Sequence, residues 1–269
     1  MKVIVCVVNN PQFINFQYKL LKKFMPVVYE FIVFNDAKSF SDYTNFNNPN
    51  LRNEIVELCN NLGIKCININ NDHHQYTNLN ASTRHTDSLR IMREYMDKNP
   101  DKYLMIDSDM FPISTIDIDK YSQYECGAIV HQQRGDIEYM WPNLFFFDIN
   151  KLPDWNLINW DIMPGCDTGA MTGQWLHKQK EIRNDNIYYI KHLGSCGWNN
   201  DSIPDNVRST ELISFLNADS RNINGMFWCE IFDKTFLHYR AGSNWNGEGI
   251  DVHKNIVNNL EKYINSTDI

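Results

Sequence analysis

The stretch from Tyr103 to Asp109, Tyr-Leu-Met-Ile-Asp-Ser-Asp, decides the fold, because a buried strand and a pair of carboxylates meet in it. Four consecutive apolar residues predict a strand covered on both faces, as the strands of a parallel sheet are. An Asp-x-Asp directly after such a strand places both carboxylates in a tight turn, where they can reach one hard cation. Such a cation can bridge a diphosphate and stabilise charge as it leaves.

Strands and helices alternate upstream of this stretch. Lys2–Val8 is an apolar, β-branched run that stops at Asn9-Asn10-Pro11 and predicts a first buried strand. Ligands of a sheet built this way bind beyond the carboxyl ends of its strands, where Asn9, Asp36 and Asp107 lie. The order predicts an α/β fold whose mostly parallel sheet is flanked by helices. Further strands are predicted over Phe31–Phe34 and Ile64–Ile69, and helices over Phe13–Phe24, Leu51–Leu62 and Thr86–Met96.

The chain after residue 112 is less regular. Ala128–His131 and Leu144–Phe147 predict further strands, and a loop-rich stretch with several tryptophans follows them. No internal repeat is visible, and no linker rich in proline, glycine or serine separates the two parts. We therefore expect one domain over residues 1–269, made of a half 1–112 and a loop-rich half 113–269.

The composition excludes several classes of protein. The 269 residues are 43% hydrophobic and 22% charged, which predicts a globular chain with a sizeable core. The net charge of −8 is spread along the chain, so no nucleic-acid partner is expected. No segment approaches the roughly 20 apolar residues that span a bilayer. Val3–Val8 is too short for a signal peptide, so we expect a cytoplasmic protein.

The seven scattered cysteines indicate neither a zinc site nor a disulfide framework.

A second Asp-x-Asp, Asp117-Ile118-Asp119, lies in an Ile-Asp alternation, which predicts a strand that turns its acids to solvent. Asp107 and Asp109 have two other interpretations: a helix cap or solvated turn, and the nucleophile turn of haloacid dehalogenase-type phosphohydrolases. Those hydrolases usually place the pair on their first strand with a Thr or Val soon after, whereas here Met-Phe-Pro follows a fourth strand. Walker A and Gly-x-Gly-x-x-Gly patterns are absent, so phosphate-binding glycine loops are not expected.

The strand ends at Val8-Asn9-Asn10 and Asn35-Asp36, together with Tyr103–Met110, resemble those of nucleotide-sugar glycosyltransferases of GT-A fold. The late segment Phe236–Trp245 resembles that of glycogenin-like members, in which a His followed by Gly and Lys-Pro-Trp completes the cation site. The resemblance implies that His238 joins Asp107 and Asp109 as a ligand of Mn2+ or Mg2+, because imidazole suits transition metals such as manganese.

The resemblance also implies where the nucleotide-sugar donor, expected to be a UDP-sugar, binds. Asn9 and Asp36 would lie near the nucleobase and ribose, and Ser108, Gly242 and Asn244 near the diphosphate. The family's Lys-Pro-Trp is replaced by Asn244-Trp245, which removes the lysine that binds the diphosphate. Its role would pass to Arg240 or to the amides of residues 243 and 244.

Three polar residues at the start of the helix predicted over Thr86–Met96 are also implied in donor binding. Arg84, His85 and Asp87 could reach the donor sugar and the diphosphate, because a guanidinium and a helix N-terminus both favour phosphate. Ordinary helix capping and surface charge are the alternative for these residues.

The acceptor side of the resemblance rests on Trp141–Asp148, which is similar to the strand that lines the acceptor pocket in this fold. Trp141 and Asn143, before the predicted strand, and Trp245 are the residues expected to contact an acceptor sugar. Asp167, between small residues, is the first candidate for the base that deprotonates the acceptor hydroxyl in an inverting transfer. In a retaining enzyme it would lie near the donor sugar, and a turn aspartate is the alternative.

Together these residues predict a metal-dependent transferase that moves a sugar from a nucleotide-sugar to a carbohydrate or glycoconjugate acceptor. A phosphohydrolase, a nucleotidyltransferase and a catalytically silent sugar- or metal-binding module stay open as alternatives. The sequence does not name the donor base, the acceptor, the stereochemical course or the oligomeric state.

Overall fold

A seven-stranded sheet made from both halves of the chain runs through the protein. It is described from a computed structural model, which gives the structure of residues 1–70, 72–76, 80–242 and 249–267. The strands of these residues are β1 (Lys2–Val7), β2 (Glu30–Asn35), β3 (Lys65–Asn68), β4 (Lys102–Ile106), β5 (Met110–Pro112), β6 (Ala128–Arg134), β7 (Ile137–Asp148), β8 (Tyr188–Tyr189), β9 (His192–Leu193), β10 (Glu230–Phe232) and β11 (Phe236–His238). The helices are α1 (Pro11–Phe24), α2 (Leu51–Leu62), α3 (Ala81–Lys98), α4 (Ile118–Ser122), α5 (Gly173–Arg183), α6 (Thr210–Asn217) and α7 (Ile250–Ser266).

The strands of this sheet follow the order β3-β2-β1-β4-β7-β6-β8. Neighbours from β3 to β4 are parallel, as are β6 and β8, whereas β7 runs antiparallel to both β4 and β6. Helices α1, α2 and α3 separate the first four strands along the chain, because a parallel connection needs a crossover. The predicted α/β fold with a mostly parallel sheet flanked by helices is confirmed.

Alternate side chains of β1 supply two hydrophobic cores, one on each face of the sheet. Val3, Val5 and Val7 pack into a core that includes residues of α1 and α2. Ile4 and Cys6 belong to a second core, which includes residues of α3 and α5. Because both faces are covered, the strand needs apolar residues at every position, which explains the unbroken run in the sequence.

A second, four-stranded antiparallel sheet has the order β5-β11-β10-β9. Helices α1, α6 and α7 contribute to the core that packs against it, which includes Phe13, Phe111 and Leu237. Strand β4 of the first sheet and strand β5 of the second are separated only by Asp107, Ser108 and Asp109. The Asp-x-Asp turn is thus the connection between the two sheets.

Helix α3 begins earlier than predicted. It starts at Ala81, and the side chain of Asn80 caps it by accepting a hydrogen bond from the Thr83 amide at 2.8 Å. The predicted start at Thr86 was wrong because the first turn is polar and carries no hydrophobic periodicity. Arg84, His85 and Asp87 therefore lie inside the helix and not at its N-terminus.

Strand β7 is longer than the predicted Leu144–Phe147 and includes Trp141 and Asn143, which were expected before the strand. The pairing of β6 with β7 shifts in register between Ile129, opposite Phe145, and Val130, opposite Trp141, so Pro142 has no partner residue in β6. Proline is tolerated at a bulge because no ladder hydrogen bond is required of it there.

The Ile-Asp alternation at Asp117 is helical and not a strand. Asp117 caps α4 by accepting a hydrogen bond from the Lys120 amide at 2.9 Å. Asp117 and Asp119 are exposed, as expected, while Ile118 is buried. In the part of the chain that the structure describes, no helix is both long and apolar enough to cross a bilayer.

Candidate functional site

A cleft of about 600 Å³ opens where the parallel strands of the first sheet end. Val8 follows β1, Asp36 follows β2 and Asp107 follows β4, and all three line the cleft. Trp141 of β7 and His238 of β11, from the second half of the chain, line it too. Residues from both halves of the chain therefore meet around one cavity, at the edge of the sheet where α/β folds bind ligands.

Asp107, Asp109 and His238 lie together in the wall of this cleft. The pairing of β5 with β11 places His238 opposite Met110, next to the Asp-x-Asp turn. The Nε2 atom of His238 is 3.1 Å from Asp109 Oδ1 and 3.9 Å from Asp107 Oδ2. One potential ligand atom of each residue lies within 4.8 Å of the others, so one cation can contact all three. Two carboxylates and an imidazole suit Mn2+ and permit Mg2+.

The electrostatics of the three groups are coupled. Loss of water and the neighbouring Asp109 carboxylate raise the pKa of Asp107. Burial would raise the pKa of Asp109 too, but His238 and the Gly242 amide lower it below its usual value. Burial opposes protonation of His238, yet Asp109 and Glu230 outweigh it and raise its pKa to about 10. A protonated His238 therefore balances the carboxylates, and a divalent cation held by the same atoms would take over that role.

Helix α1 fixes the backbone of the Asp-x-Asp turn. The Gln17 side-chain amide is buried and donates hydrogen bonds to the carbonyl oxygens of Asp107 at 2.7 Å and Met110 at 3.0 Å. The Asn10 side chain at the start of the same helix donates to the carbonyl of Gly242 at 2.7 Å. Sequence reasoning missed both residues, because nothing near them in the chain indicates which distant carbonyls they bind.

Gly242 approaches Asp109 so closely that only glycine fits. Its amide donates to Asp109 Oδ2 at 2.7 Å, and a Cβ atom at this position would lie 2.7 Å from the Cβ of Asp109 and 2.8 Å from Phe13. The two preceding residues, Arg240 and Ala241, both have left-handed backbones, with φ values of 59° and 58°. Such strain is retained where the backbone has to be directed at a site.

Glu230 contacts the ring nitrogen of His238 that points away from Asp109 and so orients the imidazole. The two residues are cross-strand partners on β10 and β11, and Glu230 Oε2 is 2.8 Å from His238 Nδ1. The Ser195 amide donates to the other carboxylate oxygen at 3.1 Å. A carboxylate on Nδ1 directs the opposite ring nitrogen, Nε2, towards the cation position. In the sequence Glu230 is only a single acid before two apolar strand residues. Its role could not be predicted without the pairing of β10 with β11.

Four of the eight predicted donor residues line the cleft. Asp36, Arg84, His85 and Ser108 line it, and burial lowers the pKa of His85, which favours its neutral form. Asn9 is buried behind the lining, where its side-chain amide donates to the carbonyl of Thr44 at 2.8 Å, and Thr44 itself lines the cleft.

Asp87 has other partners. It forms an ion pair with Arg90 at 2.9 Å and is not among the described residues that line the cleft. The remaining two predicted ligand contacts, Asn244 and Trp245, lie outside the described residues. Their assignment, like that of the other substrate contacts, stays a prediction.

The predicted acceptor residues Trp141 and Asn143 lie next to the cation site, and the ring centroids of Trp141 and His238 are 5.4 Å apart. The ring of Trp141 stacks on Phe232, with centroids 5.3 Å apart, and Phe232 stacks in turn on the exposed ring of His192 at 5.0 Å. Asn143 contacts the cation site instead, since its amide donates to Asp107 Oδ2 at 2.7 Å.

Asp167 is half-buried in the lining of the cleft. Its Oδ1 atom accepts hydrogen bonds from the Ser82 hydroxyl at 2.7 Å and the Thr168 amide at 2.8 Å, and its Oδ2 atom is 3.9 Å from the Arg134 guanidinium. Ser82 and Thr168 thus hold one oxygen, and the other lies near an exposed arginine side chain.

Comparison with known proteins adds little to this geometry. No protein-family model matches the sequence, and no curated protein matches it. A solved structure of the galactosyltransferase LgtC in complex with donor and acceptor sugar analogs is similar, with 11% identity and a TM-score of 0.45 over 99% of this chain and 96% of that chain. An active-site mutant of LgtC gives 11% identity and a TM-score of 0.42 over 74% of each chain. At these TM-scores neither likeness carries an argument about activity, which has to come from the site itself.

Proposed function

We propose that the protein is a metal-dependent glycosyltransferase of GT-A fold, which transfers a hexosyl group from a nucleotide-sugar, most simply a UDP-sugar, to an acceptor hydroxyl. The observation that carries the proposal is the convergence of Asp107, Asp109 and His238 on one position in a cleft formed by both halves of the chain. When bound there, Mn2+ or Mg2+ supplies positive charge that stabilises the departing nucleoside diphosphate.

The donor is assigned to the side of the cleft formed by residues 1–112. Asp36 and Thr44 line the end of the cleft next to β2, where the nucleoside is assigned, and Asn9 supports Thr44 from behind. Arg84 and Arg240 also line the cleft and supply the cationic side chains that a diphosphate requires, so Arg240 replaces the lysine of glycogenin-like members. Neutral His85 can donate a hydrogen bond to a sugar hydroxyl without repelling the cation.

The acceptor is assigned to the side formed by residues 113–269. Trp141 presents an aromatic surface held by Phe232, and a sugar ring can stack on such a surface. Asp167 is the proposed base of an inverting transfer, because Ser82 and Thr168 fix one of its oxygens and the other is available to a hydroxyl. The expected product is a glycosylated carbohydrate or glycoconjugate, and the cytoplasmic location stays a prediction.

The test is a donor screen with a matched pair of variants. UDP-, GDP- and CMP-sugars are incubated with the protein and Mn2+, and release of the nucleoside diphosphate or monophosphate is measured with and without EDTA. Asp109→Asn should lower turnover by at least about 100-fold, since a cation contributes several kcal/mol to the transition state. Asp119→Asn, in the exposed Asp-x-Asp of α4, should leave turnover unchanged.

The same screen separates the alternatives. Cleavage of a simple phosphoester without any nucleotide would identify a phosphohydrolase, and release of pyrophosphate from a nucleoside triphosphate and a sugar phosphate would identify a nucleotidyltransferase. A well-folded Asp109→Asn variant with unaltered donor turnover and Mn2+ requirement would disprove the proposal.

A further inference from the structure

A second group of potential metal ligands lies at the end of β2 and includes none of the residues of the Asp-x-Asp site. Asp36 follows this strand, and His73 and His74 lie in a short 3-10 turn, Asp72–Gln75. One potential ligand atom of each residue lies within 4.8 Å of the others. The Nε2 atoms of both imidazoles face the same carboxylate, at 3.1 Å for His73 and 3.3 Å for His74.

The group is almost completely removed from solvent. Asp36, His73 and His74 are 1%, 8% and 7% exposed. Other donors and acceptors complete the surroundings: the Ser88 hydroxyl donates to Asp36 Oδ2 at 3.0 Å, and Asp87 Oδ2 is 3.8 Å from His73 Nδ1. The Asp87 carboxylate thus lies on the Nδ1 side of the His73 ring, where a metal-bound histidine usually faces a carboxylate, although 3.8 Å is longer than a hydrogen bond.

Two imidazoles face Asp36, which is one more than an ion pair with this carboxylate requires. One histidine is enough to pair with a buried aspartate, and here two adjacent residues direct Nε2 to it. His74 Nε2 is also 2.7 Å from the carbonyl oxygen of Asp36. The separations of 2.7–3.3 Å are those of hydrogen bonds, and they need to open only slightly to reach the roughly 3.4 Å between tetrahedral ligands that each lie about 2.1 Å from one ion.

We propose that Asp36, His73 and His74 form a second metal site, which takes a transition-metal ion that prefers imidazole, such as Zn2+. Two imidazoles and one carboxylate are a recurrent ligand set for such ions, whereas the two carboxylates and one imidazole of the other site suit Mn2+. The two sites share no ligand, so metal binding here does not depend on the proposed transferase activity, but it gives Asp36, assigned above to the nucleoside end of the cleft, a ligand's role in place of direct contact with the nucleoside.

The site has a structural consequence for the cleft. Asp36 and His74 both belong to the lining of the cleft, so an ion they hold would lie in its wall. The ion would also join the turn that carries the two histidines to the end of β2. Bound ion should therefore stabilise the folded protein, since it binds the native arrangement alone.

The experiment measures metal binding and requires no enzyme activity. The full-length Asp109→Asn variant, which removes a ligand of the first site, is stripped with EDTA, dialysed and titrated with Zn2+ by calorimetry. One equivalent should bind and raise the melting temperature. Co2+ in place of Zn2+ should give the visible absorption bands of an ion with nitrogen ligands.

Single substitutions then locate the site. His73→Gln and His74→Gln, each in the Asp109→Asn background, should lower Zn2+ affinity at least tenfold, whereas His177→Gln, at an exposed position of α5, should not change it. Circular dichroism without metal establishes that each variant is folded. If either glutamine variant is unfolded, the proposal is judged from the Asp109→Asn protein alone, by its Zn2+ stoichiometry and its Co2+ spectrum. The proposal is overturned if that protein binds no Zn2+, or if folded His73→Gln and His74→Gln variants bind it as tightly as their parent.

Discussion

At the scale of single residues, Gly242 is the position where the backbone itself shapes the cation site. Its amide holds Asp109, and its Cα lies against the same side chain and Phe13. Gly242→Ala should therefore displace Asp109 and weaken Mn2+ binding by about 10-fold or more, the usual effect of disturbing an outer contact of a metal ligand. Calorimetric titration with Mn2+ measures the change.

Gly225→Ala is the control for this substitution. Gly225 has a φ of 77° and open space around its Cα, so alanine there should cost some stability and leave Mn2+ affinity unchanged. Equal Mn2+ affinities for Gly242→Ala and the wild-type protein would contradict the close approach described for Gly242.

Glu230 allows a second test at this scale. Glu230→Gln keeps the size of the side chain but removes the charge that favours a Nδ1–H tautomer of His238, so Mn2+ affinity should fall about 10-fold while the fold is retained. Glu138→Gln, which alters a carboxylate that is paired with Lys180 and lies 3.7 Å from His131, is the matched control. A Glu230→Gln variant that binds Mn2+ as tightly as Glu138→Gln would show that Glu230 does not position the ligand.

The residues that could be predicted at this scale are those whose chemistry is unusual in their local sequence. Asp107 and Asp109 follow an apolar strand, and His238 lies in the segment that resembles glycogenin-like members, so a candidate cation site at these three residues could be predicted without the structure. Gln17 and Glu230 were not predicted, because their partners are brought to them by packing between elements distant in the chain. Asn143 was expected to bind an acceptor sugar, whereas the structure shows it bound to Asp107.

At the scale of secondary-structure elements, α1 supports the turn between the two sheets through Gln17. Gln17→Leu keeps the volume of the side chain but leaves the carbonyls of Asp107 and Met110 without this donor. Each buried group that loses its partner costs about 1–3 kcal/mol, so the free energy of unfolding should fall by at least about 1 kcal/mol. Urea denaturation measures it. Gln174→Leu, at an exposed position of α5, should have little effect, and a Gln17→Leu protein as stable as Gln174→Leu would contradict this role.

The loop after β2 gives a prediction about pH. Burial opposes ionisation of Asp42, but Lys38 and the donors of Thr44 lower its pKa to about 2. The unfolded value is about 3.9, so the charged form stabilises the fold above that pH, and this contribution is lost as pH falls towards 2. The difference in melting temperature between wild type and Asp42→Asn should be constant near neutral pH and shrink below about pH 4. A difference that persists unchanged down to pH 3 would count against the assignment.

Hydrophobic periodicity was sufficient to predict the elements that are apolar throughout and misjudged those with polar ends. The first four strands were placed within about two residues. Strands β1, β2 and β4 are buried along almost their whole length, whereas the edge strand β3 is only partly buried and was predicted from its alternation. The start of α3 was missed because its first turn faces the cleft and is polar for that reason. The predicted Leu144–Phe147 covers only the apolar end of β7, whose earlier residues include Glu138, Pro142 and Asn143.

At the scale of the whole molecule, α1 connects the hydrophobic cores. Ile14 and Leu21 belong to the core on one face of the first sheet, and Phe13, Phe16 and Leu20 to the core against the second sheet. Because one helix is buried by both, the two sheets should unfold together. Differential scanning calorimetry should show a single transition, and saturating Mn2+ should raise it as a whole. Two separate transitions, only one of them shifted by Mn2+, would contradict this coupling.

The pairing of β5 with β11 determines when the cation site can be completed during synthesis of the chain. The imidazole of the cation site belongs to a strand that is made 129 residues after Asp109. A nascent chain of about 112 residues can already form the four parallel strands, yet it presents only the two carboxylates. Cation capture should therefore be one of the last events of maturation on the ribosome, and a β11 docked one residue out of step would point the imidazole to the wrong face.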